Sequence, residues 1–160
     1  VEKKNINTVI FNGGGNDLLT SAQKCMTEAN PDEENFNEVC APYFISALQN
    51  VSDEIKKLLL EMKTDQVQHV IYLGYYKMTD PNYALLIDLG MTVVKKAFDE
   101  QQKHFASPLT LSFVDPRPQF ESHEAEYILA DQIHPSSEGS KTLAKLIWQV
   151  ILDKNIEAAK

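Results

Sequence analysis

The chain has 160 residues, with 15 Lys and Arg against 23 Asp and Glu, a formal charge of −8. One domain with a substantial core fits that length, and 43% hydrophobic with 24% charged residues excludes a wholly disordered chain. An acidic balance without a Lys/Arg cluster offers no footprint for nucleic acid or an anionic membrane, and no apolar run approaches the roughly 20 residues that span a bilayer.

Val1 to Asn5 lacks the apolar core of a signal peptide. Thr8-Val9-Ile10-Phe11 is a short apolar run that stops at Asn12-Gly13-Gly14-Gly15, as a buried strand stops at a tight turn. No helix is expected directly after these glycines. Cys25 and Cys40 flank a polar, acidic, proline-containing stretch, Met26 to Val39, read as a long loop. A disulfide closing it contributes about 3 kcal/mol on a chain-entropy estimate. A loop without a hydrophobic anchor needs such a tie, and the bridge implies an oxidising compartment, so the expected location is secreted or periplasmic.

From Phe44 the apolar residues Leu48, Val51, Ile55, Leu58 and Met62 recur at spacings of three and four, which is one face of a helix. Val67 to Leu73 reads as a second buried strand ended by Gly74. Pro81 precedes a helical stretch over roughly Asn82 to His104. Pro108 precedes a third strand, Leu109 to Val114, which stops at the rigid turn Asp115-Pro116-Arg117-Pro118. A loop to His134-Pro135 follows, and Ser136 or Ser137 caps a last helix that turns Leu143, Ile147 and Ile151 inward, with Trp148 in the core.

Strands alternating with long helices call for an α/β fold, a three-layer α/β/α arrangement around a parallel sheet. Ligands of such sheets bind beyond the carboxyl ends of the strands. The glycine turn, the Gly74-Tyr75-Tyr76 turn and the segment from Asp115 to His134 then share one rim. Tyr75 and Tyr76 are placed to wall an acyl or sugar pocket.

Two segments can carry chemistry. Gly13-Gly14-Gly15-Asn16-Asp17 permits close backbone approach and offers an amide donor, although a turn with Asn and Asp capping local backbone has the same composition. A dinucleotide fingerprint would need glycine at Leu18, and no Gly-Lys-Ser/Thr follows for a phosphate loop. Asp131-Gln132-Ile133-His134 sets a carboxylate three residues before an imidazole, an arrangement able to orient a general base. A metal site would need a third ligand, for which Glu138 and His123 are the near choices; no metal and no other cofactor is expected.

Taken together, Gly14-Gly15-Asn16-Asp17 near one end and Asp131-x-x-His134 before a helix near the other resemble the third and fifth sequence blocks of the SGNH (GDSL-type) hydrolases, an esterase and lipase family. Gly139, Leu143, Ala144, Ile147 and Trp148 are similar to the family's closing helix. The resemblance implies a flavodoxin-like fold, of which this chain supplies the last three strands and their helices. It further implies His134 as general base, Asp131 as its orienter, Asn16 as an oxyanion donor, and Gly14, Gly15 and Tyr75 at the substrate. The expected substrate is an ester, of an acyl lipid or an acetylated glycan.

The family's Gly-Asp-Ser nucleophile block is missing, because none of the nine serines follows Gly-Asp. The chain is therefore expected to be the carboxyl-terminal part of a hydrolase domain, inactive alone, with the serine on a preceding segment or a separate chain. The alternative is a catalytically inactive binding module built on the same fold.

Overall fold

The computed structural model describes residues 6–32, 35–79, 81–105 and 109–156. Val1 to Asn5 and Pro108, read above from sequence, lie outside them. Strand β1 (Thr8–Phe11) leads into helix α1 (Gly15–Glu28) and helix α2 (Phe36–Thr64), followed by β2 (His69–Leu73), α3 (Pro81–His104) and β3 (Thr110–Val114). Two one-turn helices, α4 (Arg117–Phe120) and α5 (Glu124–Tyr127), precede the last helix, α6 (Ser137–Asp153).

The three strands pair in parallel in the order β1-β2-β3. Thr8 lies opposite His69 and His69 opposite Thr110, so the carboxyl ends of all three strands fall on one edge. Parallel neighbours require crossovers of one hand, which puts α2 and α3 on the same face. There Val51, Ile55 and Leu59 of α2 and Val94, Ala97 and Phe98 of α3 close on Val70 and Tyr72, with Val9, Phe11, Leu111 and Phe113 packed alongside. Alternation along the strands turns Ile71 to the other face, where α6 packs against β2 and β3. The fold is thus α/β, a parallel sheet flanked by helices.

Several local expectations are corrected. A helix does begin directly after the glycines, because Gly14 takes a left-handed backbone (φ 92°) and its carbonyl accepts the Leu18 N–H. The supposed cysteine loop is half helix, since α1 runs to Glu28 past Cys25 and α2 begins at Phe36 ahead of Cys40, which shortens the connection to the stretch around Pro31. α2 starts eight residues ahead of Phe44 and runs through Pro42. Phe36, Val39 and Phe44 on its first turns pack against Ala22 and Cys25 of α1, giving that amphipathic surface an apolar partner. Asp115-Pro116-Arg117-Pro118 continues into α4 rather than ending as a turn. Trp148 is 59% exposed, not core, while Leu143, Ile147 and Ile151 are half-buried.

Cys25 and Cys40 form a disulfide with a Cα separation of 5.6 Å, and both are fully buried. The bridge fastens α1 to α2 at the end away from the glycine turn. Replacing both cysteines by alanine is expected to cost about 3 kcal/mol, from lost constraint on the unfolded chain. Urea unfolding of the double variant beside the parent measures it; coincident curves would show that the helix contacts alone hold α1.

Candidate active site

Residues that follow the three strands meet at the carboxyl edge of the sheet. β2 and its following turn supply three tyrosines that fasten the other two loops there. Tyr72 Oη donates to the Gly13 carbonyl at 2.7 Å, the Gly15 N–H donates to Tyr75 Oη at 3.1 Å, and Tyr76 Oη donates to the Ile133 carbonyl. Burial raises all three phenols, Tyr76 to about 12 with the Asp131 charge adding to the effect, so they remain neutral hydroxyls.

The glycines are dictated by this packing. A side chain on Gly14 would meet Val51 of α2 at 2.7 Å in a backbone that L-residues rarely adopt, and one on Gly15 would meet the Tyr75 ring at 2.6 Å. With the backbone so pinned, Asn16 stands exposed on the first turn of α1 at the rim.

His134 is presented by a closed loop between α5 and α6. Ile128 bridges Pro135, the Leu129 N–H donates to the His134 carbonyl at 2.8 Å, and Ser136 caps α6 by accepting from the Gly139 N–H. Inside the loop Gln132 takes a left-handed backbone (φ 62°), and its side-chain oxygen accepts from Thr79 of the segment after β2. Asp131 organises the turn: Oδ1 accepts from the backbone N–H groups of Ile133 and His134 at 2.9 Å each, and Oδ2 accepts from His134 Nδ1 at 2.8 Å. Those backbone bonds first, then the imidazole, lower the Asp131 carboxyl to about 2. Burial plays little part, because the side chains of His134 and Asp131 are 70% and 47% exposed. With Nδ1 committed to the carboxylate, Nε2 is the nitrogen that can exchange a proton.

Asn16 and His134, 118 positions apart in sequence by their numbers, line one cavity of about 210 Å³, together with Gly15, Tyr75 and Tyr76. Gly14 sits behind them, under Val51. Asp131 stays outside the lining and acts on it through His134. The remaining wall includes Leu18, Met78, Leu86 and Ile87, which the sequence does not mark as facing a cavity, since apolar residues facing a cavity and facing a core have the same periodicity.

Arg117 serves another purpose. Its guanidinium bonds both Asp115 oxygens and reaches Asp88 on α3 at 2.8 Å, tying the end of β3 to α3. Burial alone would raise Asp115, but the bonds to Arg117 outweigh it and hold the carboxyl low. Among the described residues, no three His, Cys, Asp or Glu side chains converge to hold a metal.

No protein-family model and no curated protein matches the chain. Among solved structures, the fold is similar to that of the lipase Lip_vut3 from a goat rumen metagenome, with a TM-score of 0.60 and 20% sequence identity. The alignment covers 89% of this chain and 63% of the lipase, so the chain spans somewhat less than two thirds of that enzyme. The architecture shared with that structure is α/β, a parallel sheet flanked by helices.

Titration should expose the turn directly. The Asp131 carboxyl is expected to titrate at about 2 by carboxyl-carbon NMR. In His134→Ala it should rise yet stay below the ordinary value of about 3.9, because the two backbone donors remain. A depressed folded-state pKa means this contribution to stability is complete above the unfolded value and fades as pH falls toward 2. An ordinary value in the parent chain would show the turn unformed. Separately, Tyr76→Phe leaves the Ile133 carbonyl without its donor and should cost about 1 kcal/mol in urea unfolding.

Proposed function

We propose that this chain is the carboxyl-terminal part of an SGNH-type serine ester hydrolase, in which Asp131 orients His134 as general base and Asn16 donates to the oxyanion. The observation that carries the reading is the Asp131–His134 pair set on the same cavity as Asn16 at the carboxyl edge of a parallel sheet. Similarity of the fold to a lipase supports it.

The serine comes from a segment or chain outside these residues. Among the described residues no serine lines the cavity, and Ser136, near His134 in sequence, spends its hydroxyl on the Glu126 carbonyl and the α6 cap. β1 supports the proposal from the other side: among the described residues it pairs only with β2, Ile10 on it is 47% exposed, and a groove lined by Phe11, Val51, Ile55 and Leu58 runs beside it. A strand laid there would pair the free edge, which is otherwise open to aggregation.

In the first half-reaction the serine Oγ bonds to the ester carbonyl carbon and its proton passes to His134 Nε2. The carbonyl oxygen becomes an anion beside the Asn16 amide, placed where charge develops. Collapse breaks the bond to the alkoxy oxygen, which leaves as alcohol with the proton from His134. Water then repeats the sequence on the acyl-serine, releasing acid and restoring the imidazole. Asp131, ionised throughout, stabilises the imidazolium and fixes the ring.

The disulfide supports a secreted or periplasmic location, and no helix among the described residues is long and apolar enough to cross a membrane. A second reading, an inactive module that binds ligand at the same rim, draws on the absence of serine from the cavity lining among the described residues.

Ester hydrolysis by the complete domain decides between them. His134→Ala should lower kcat by about 10⁴-fold or more, and Asn16→Ala by roughly 10²-fold. The 160-residue chain alone should turn nothing over. Unchanged turnover in His134→Ala would remove that residue from the mechanism, and a complete domain without activity favours the binding module.

A further inference from the structure

We propose that the cavity below Asn16 and His134 holds a straight, unbranched acyl chain of about six to eight carbons, so that the preferred ester is of a medium-chain fatty acid rather than acetate. This rests on the hydrolase reading for the position of the reacting carbonyl, while the binding itself needs no nucleophile.

The cavity is polar at its mouth and apolar behind. Asn12, Asn16 and His134 are its polar side chains apart from the two tyrosines. Tyr75 accepts from the Gly15 N–H and Tyr76 donates to the Ile133 carbonyl, so each hydroxyl already makes one bond within the protein and has little left to offer a ligand. A sugar buried there would leave its own hydroxyls short of partners, at a cost that a hydrocarbon chain does not incur.

The wall is drawn from separate elements that are fixed by their own packing. Leu18 on α1, Leu86 and Ile87 on α3 and Met78 after β2 are each about 5% exposed, and Leu143 of α6 closes the side. Met78 and Ile87 pack together with Met91, whose Sδ accepts the Tyr75 N–H. A cavity of 210 Å³ has the volume of about seven waters at roughly 30 Å³ each, and a methylene group is of similar size. An acetyl group would leave most of it empty. Each methylene added up to that length gains about fourfold in affinity or kcat/KM from burial, and longer chains gain nothing more.

Two measurements test this. The full chain with ¹³C-methyl methionine is titrated with octanoate below its micelle concentration and, separately, with acetate. Octanoate should shift the Met78 methyl saturably and leave Met26, 48% exposed on α1, unmoved, whereas acetate should shift neither. Ile87→Phe, or Leu19→Phe should the first not fold, narrows the cavity and should abolish the octanoate shift. In the complete domain, kcat/KM for para-nitrophenyl esters should climb from acetate to octanoate and level off by dodecanoate. Saturable octanoate binding with no turnover of any ester would sustain the acyl pocket and refute the hydrolase reading. Turnover independent of chain length, together with a Met78 methyl that octanoate does not move, would overturn the pocket and leave the hydrolase reading standing.

Discussion

Parallel pairing of β1, β2 and β3 obliges every connection to cross back over the sheet, and so delivers the chain to the same edge each time a strand ends. Glycine turn, tyrosine turn and histidine loop are neighbours for that reason, although they are widely separated along the chain. Nothing else in the fold brings Asn16 within reach of the cavity that His134 lines. The core between the sheet and the α2–α3 layer keeps the edge straight, with Tyr72 at its centre stacked on Phe113 and edge-on to Phe11.

Position at an edge is not yet orientation, and orientation comes from hydrogen bonds that local sequence pattern does not encode. The central strand and its turn hold the outer two loops through tyrosine hydroxyls, each reaching a backbone group about 60 residues away. Backbone groups are good partners for this purpose, because their direction is set by the chain and not by a rotamer. The Asp131 carboxylate works in the same way at shorter range, accepting two backbone N–H groups before it meets the imidazole. A carboxylate so held retains its charge in water without burial, which lets the pair stand largely exposed on the rim.

That exposure shapes the functional reading. A general base in open water gives little advantage, since electrostatic stabilisation is strong only where water is excluded. In the proposed hydrolase, a strand laid along β1, whose outer edge is unpaired among the described residues and carries the exposed Ile10, would complete the site and dry it. The apolar cavity behind is already enclosed by α1, α3 and α6, independent of that completion.

Much of this was determined by sequence alone. Apolar runs ending at Gly13 and Gly74, helical spacing from Phe44 to Met62, and the Asp131-x-x-His134 interval suffice for the succession of strands and helices, the fold class and the pairing of Asp131 with His134, because each is a local pattern read over a few residues. Helix α1 was hidden: two glycines at its start mimic a turn, and its buried face of Leu18, Ala22 and Cys25 is thin. The acidic stretch between the cysteines disguised helical ends, whose stability comes from a disulfide and from packing between α1 and α2. Trp148 illustrates the opposite error, a large apolar residue on an amphipathic helix that nevertheless faces out. Only the tertiary structure could decide such cases, along with the tyrosine bonds and the cavity. Periodicity tells which face of an element is apolar, whereas what that face meets, a core, a cavity or water, depends on elements far away in the chain.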